Sequence, residues 1–135
     1  MKLLLIAAAG GLLTLSACND AQDRAEDQLE NQAEASARQS GSEIAALGLT
    51  ERQLLDADLI DSTGADLGDV EAVLRDAGGQ VDRLIVEVDG PDPERYVEVP
   101  ITGLTTRADG DDTDLVTTMT AADLGALPSA TLPQP

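Results

Sequence analysis

Residues 109–114, Asp-Gly-Asp-Asp-Thr-Asp, are the densest run of oxygen ligands in the chain. A hard cation such as Ca²⁺ takes roughly six to eight oxygens, so a flexible loop presenting Asp109, Asp111, Asp112 and Asp114 could supply several of them. That would make a calcium-responsive binding domain. The run lacks the downstream bidentate glutamate of an EF-hand, and the other reading is a solvated acidic hairpin loop. Asp61, Asp66 and Asp69 crowd an earlier turn, where aspartates also serve to bond their own backbone. Tyr96 is the sole aromatic residue. With Arg83 and Glu87 it falls on the outward side of predicted strands, which makes the three candidate partner-binding residues; Tyr96 is equally suited to completing a core.

What is missing narrows the chemistry further. The chain has no histidine, tryptophan or phenylalanine and a single cysteine, Cys18. The usual general base at neutral pH and commonest metal ligand is therefore absent, and no two carboxylates are paired at a defined separation, so the chain is read as non-catalytic. Twenty-six acidic residues against eight basic ones give a net charge of −18. Such a surface repels phosphate backbones and anionic headgroups, which argues against nucleic-acid binding and points to basic proteins, cations or uncharged surfaces.

Met1-Lys2 followed by an uncharged apolar run over residues 3–15 has the layout of a secretory signal peptide. The run is shorter than the roughly 20 apolar residues that a spanning helix needs. Leu15-Ser16-Ala17-Cys18 resembles the lipobox of bacterial lipoproteins. The resemblance implies cleavage of residues 1–17 and a diacylglyceryl thioether, usually with an N-acyl chain, on Cys18. Two or three chains hold a protein firmly where one binds only reversibly. Acylation also accounts for a lone cysteine in an exported chain, where a disulfide would otherwise be favoured.

From Cys18 to residue 48 the chain is rich in Ala, Gln, Glu, Asp and Ser, with Leu29 its only large apolar residue before Ile44. It reads as an acidic tether without an apolar stripe wide enough to pack, flexible or a solvated helix over residues 21–38. A coiled coil would need apolar a and d positions that it lacks. Thr50-Glu51-Arg52-Gln53 has capping-box spacing, which predicts one short turn. Beyond it, period-two alternation predicts strands over residues 54–60, with Leu55, Ala57 and Leu59 on one side, and over 69–75, with Val70, Ala72 and Leu74 together. Residues 80–88 are the strongest strand, with Leu84, Val86 and Val88 on one face and a mixed second face that a tail or partner could half cover. Strands at 95–99 and 115–119, a short helical turn over 120–127 and a loose tail over 129–135 complete the reading.

Taken together, residues 59–74, the stretch from Gly79 through Val88, and Tyr96-Val97-Glu98-Val99-Pro100 resemble a PRC-barrel domain. The resemblance covers roughly residues 50–128 and implies a protein-interaction or assembly module with no shared catalytic residues. Pro91-Asp92-Pro93-Glu94 stands where the family often has a glycine-rich hydrophobic loop, and Ser129 where it often has an aromatic. The expectation is an all-β domain over residues 49–128, a small closed or nearly closed sheet of about five to six strands. It would be an exported, lipid-anchored envelope protein facing the periplasm or the outside, which binds another protein; a homodimer is the arrangement that would support so thin a core.

Overall fold

Short apolar runs separated by Gly, Asp and Pro turns give short strands. The computed structural model describes residues 17–133 apart from Asp92. The predicted signal peptide, Ala17 excepted, and residues 134–135 of the expected tail lie outside the described residues. In chain order the elements are α1 (Ala17–Ser40), β1 (Ile44–Ala46), β2 (Leu49–Thr50), α2 (Glu51–Leu55), β3 (Asp58–Ile60), β4 (Asp66–Arg75), β5 (Val81–Val88), β6 (Arg95–Pro100), β7 (Thr105–Asp109), β8 (Asp112–Val116) and α3 (Ala121–Ala126). The all-β expectation for the domain holds: β1 and β2 form a small hairpin, and the other six strands one sheet in the order β6-β5-β4-β3-β8-β7. The β3–β8 pair is parallel and the remaining pairs are antiparallel.

The core lies on the inner face of this curled sheet. Leu59, Leu67, Val70, Leu84, Val86, Val97, Val99 and Leu115 meet there, joined by Leu54 from α2 and Leu124 from α3. Both short helices begin with reciprocal capping boxes, Thr50 with Gln53 and Thr120 with Asp123, which satisfy orphan amides at each start. The first box is the one its spacing predicted. It opens a helix through Leu55 that takes the first two residues of the expected 54–60 strand, a turn follows, and β3 keeps only three residues. At Gly68 β4 lies against the β5 backbone: a Cβ there would stand 2.1 Å from the Glu87 carbonyl oxygen.

A bulge in β4 redistributes its side chains. Val70 pairs with Val86 and Ala72 with Ile85, so Glu71 is the extra residue. The expected common face of Val70, Ala72 and Leu74 is therefore split. Val70 and Val73 enter the barrel core, while Ala72 and Leu74 join Ile85 and Tyr96 on the outer face.

That outer face is covered by α1, and the expectation of a tether with no packing stripe is corrected. Ala25, Leu29, Ala33 and Ala37, spaced four apart on one side of the helix, are all buried. Leu29 and Ala33 sit against Ala72, Ile85 and Tyr96. A stripe of small residues is enough because the methyl groups let the helix approach the sheet closely. The tail is likewise not loose. Ser129 bridges Val97 at the free edge of β6, the Ala130 amide donates to the Tyr96 carbonyl at 2.7 Å, and Leu132 packs beside α1's cluster. Arg95 fastens the preceding segment through the Gly125 and Leu127 carbonyls.

The acidic run forms a hairpin, the second of its two readings, with a shorter loop than expected. Residues 101–104 are a turn that delivers Leu104 to the core, and β7 and β8 bracket Gly110-Asp111, so most of the predicted acidic loop is strand.

Two substitutions test this packing. Leu29→Ala should cost about 2–4 kcal/mol in urea unfolding, as a buried leucine does, whereas a leucine on a solvated tether would cost almost nothing. Gly68→Ala should cost about 1–3 kcal/mol, because the clash is with backbone.

Candidate functional site

α1 is pinned at both ends. Near its start, Gln22 Nε2 donates to the Glu94 carbonyl at 3.2 Å, beside the β5–β6 loop. At its end, Ser40 Oγ donates to Glu51 Oε2 at 2.7 Å, and the Arg75 guanidinium meets the same oxygen at 2.5 Å. Glu51 is fully buried in the first turn of α2, where the helix dipole favours a negative charge. Burial pushes its pKa up, but the hydroxyls of Ser36 and Ser40 and the Arg75 guanidinium outweigh that and hold the carboxyl below its ordinary value. One carboxylate thus ties the end of α1, the start of α2 and the end of β4 together.

Alongside α1 runs a groove of about 470 Å³. Glu30 and Glu34 from α1, Asp56 at the C-terminal cap of α2, Asp58 from β3, and Asp69 and Glu71 from β4 line it, with Arg52 as the one basic lining residue. Asp58 and Asp69 are direct cross-strand partners, an arrangement of like charges that destabilises a sheet unless one of them is protonated. Desolvation, a hydrogen bond with Asp69 and the charges of Asp66, Asp69 and Asp114 raise Asp58 to about 6. The bulged Glu71 is half-buried. Desolvation first, then the charges of Glu87, Glu30 and Asp69, push it up to about 7. Glu87 is raised by desolvation and by Glu94, Asp69 and Glu26, and the Tyr96 hydroxyl by desolvation and by Glu87 and Glu26. Among the described residues no ion pair reaches Glu26, Glu30, Glu71 or Glu87. The groove is therefore lined mainly by carboxylates.

The residues singled out in the sequence meet different fates. Tyr96 is buried under α1, and Glu87 belongs to the carboxylate group beside it. Arg83 remains half-exposed, held at 2.5 Å by Glu98 and at 3.4 Å by Asp82. The three do not form an open binding face while α1 is docked. Asp109, Asp111, Asp112 and Asp114 do not converge either. Asp109 and Asp112 pair across the hairpin, Asp111 stands exposed at its turn, and Asp114 is buried with Arg107 at 3.3 Å. Among the described residues no group of three or more acidic side chains is placed to hold a metal ion. Asp61 does what turn aspartates do, accepting from the Thr63 and Ala65 amides and the Thr63 hydroxyl. Cys18 falls in the first turn of α1, and its side chain lies outside the described residues.

Sequence reasoning missed Glu51 and Glu71. For Glu71 a signal existed, a carboxylate inside the apolar run Val70 to Leu74; for Glu51 it did not, because an acid in the first turn of a helix is ordinary.

Compared with known families, residues 50–123 match the model of the PRC-barrel domain, from the cap of α2 into α3 and over more than half of the chain. No curated protein matches the chain.

Opposed titrations give stability an optimum. Glu71, whose folded pKa is raised, contributes stability that is complete below its ordinary value of 4.5 and lost as pH rises through about 7. Glu51, whose folded pKa is lowered, contributes stability that is present above its ordinary value of 4.5 and lost as pH falls through its depressed one. Melting temperature should peak at about pH 5 and fall toward pH 8. Glu71→Gln should make that alkaline fall shallower, and an unchanged slope would show that Glu71 titrates normally.

Proposed function

Because the chain belongs to the PRC-barrel domain family, we propose that it is a non-catalytic interaction or assembly module, exported and anchored to a bacterial membrane by lipid on Cys18, whose partner is a basic protein segment. The observation that carries the partner's chemistry is the groove along α1, with six carboxylates and a single guanidinium among its charged lining residues. Protonating such carboxylates costs free energy that a lysine or arginine seated among them returns by restoring their charge. The overall charge of −18 adds long-range attraction for the same partner and screens out nucleic acid. The absence of histidine supports binding over catalysis. Among the described residues no helix is long and apolar enough to cross a membrane. Attachment therefore rests on the lipobox resemblance of Leu15-Ser16-Ala17-Cys18.

Fractionation of cells that express the full chain tests the anchor. The protein is expected in the membrane fraction, with acyl mass on its N-terminal peptide, and Cys18→Ser should release it. A wild type found free of membranes, or a Cys18→Ser variant that stays bound, would overturn the anchored reading. A photo-reactive group at Glu34, at the groove's rim, should crosslink a partner through a lysine- or arginine-rich segment. Replacing Asp56 and Asp69 by Asn should weaken that capture about tenfold or more, in proportion to the charge removed. Capture indifferent to those changes would mean that the groove is not the binding surface.

A further inference from the structure

The carboxylate groove belongs to the site already described; the mounting of α1 carries more. Cys18 stands in the first turn of the helix, and four residues on, about 6 Å along the axis, Gln22 is already bonded to the Glu94 carbonyl. Side-chain burial begins at Ala25 and continues through Leu29, Ala33 and Ala37. The far end is closed by Ser40, Glu51 and Arg75. Glu94 adjoins the loop between β5 and β6, whereas Arg75 adjoins the turn between β4 and β5, at the opposite end of those strands. α1 therefore runs the length of the sheet, about 36 Å for its 24 residues, and is held at both hairpins as well as between them. The next place where the chain can bend is Gly41, past the far end, with a φ of +56°.

We infer that α1 is a rigid mount that presents the β5–β6 end of the barrel, around residues 89–94, to the lipid surface and holds the β4–β5 turn, residues 76–79, away from it. The inference rests on lipid attachment at Cys18. A free segment of the same length would let the barrel tumble at any height; a docked helix fixes both its height and its orientation. The near end bears Asp20, Asp23 and Glu94, all exposed, so its natural counterpart is a headgroup layer rich in zwitterionic lipid rather than an anionic one. The groove, which lies along α1 and toward β3, then opens sideways over the membrane, where the juxtamembrane segment of a neighbour can reach it.

The test uses the processed lipoprotein from full-length expression, reconstituted in phosphatidylcholine vesicles that carry a trace of acceptor-labelled lipid. Since Cys18 is occupied by lipid, a donor dye can be placed alone at Pro91→Cys or at Ala77→Cys, both exposed positions. Energy transfer should place the Pro91→Cys label nearer the bilayer by about 25 Å, the length of the eight-residue β5. Leu29→Glu, which undocks α1, should erase the difference while the protein still floats with the vesicles. Equal transfer from both sites in the otherwise unmodified chain, or a larger transfer from Ala77→Cys, would overturn the mount and leave the anchor standing. Protein that fails to float with the vesicles would overturn the anchor and the mount together.

Discussion

A single buried carboxylate holds this architecture together. Glu51 sits where three elements meet, and removing Arg75 would leave its ionised carboxylate in a low-dielectric interior without a counter-charge. Breaking a buried pair by deleting one partner is strongly destabilising, even where the intact pair adds little over an apolar replacement. The clasp is therefore better understood as specifying an arrangement than as a large source of stability. It selects the one placement of α1 in which Ser36 and Ser40 reach the carboxylate.

Around that fixed point the seam between α1 and the sheet balances opposite tendencies. Leu29 and Ala33 draw the helix onto Ala72, Ile85 and Tyr96, while carboxylates from both partners crowd along the seam. Repulsion is reduced when Glu71 keeps its proton, and the bulge sets Ala72 beside it on the same outer face. The helix is thus held by apolar contact and by its two ends against an unfavourable electrostatic field. Such an interface suits an element that must stay in place and yet present negative charge along its free side.

The same geometry covers part of the sheet's outer surface. The outer faces of β5 and β6, which a sheet of this kind would offer, are occupied by the protein's own helix and C-terminal segment. The barrel thus acts with α1 as one unit, and the exposed chemistry is the acidic cleft between them. Ser129 and Ala130 also shield part of the β6 edge, which lowers its exposure to edge-to-edge pairing.

The all-β class, the turn positions, the capping box at Thr50 and the strongest strand were legible from residues 50–128, because period-two alternation and Gly, Asp and Pro turns are local signals. The net charge and the poverty of catalytic groups were legible in the same way, since they depend on composition alone. Three things were settled only in three dimensions. The β4 bulge changed which side chains share a face, because one unpaired residue shifts the alternation that follows it and no local pattern marks where that occurs. The carboxylates of residues 109–114 do not converge on one point, because cross-strand register and not sequence proximity decides which of them meet. Finally, the alanines at 25, 33 and 37 with Leu29 looked too weak to pack. A helix's burial depends on the shape of what it lies against, and the flat patch of Ala72, Ile85 and Tyr96 exists only once β4, β5 and β6 are assembled.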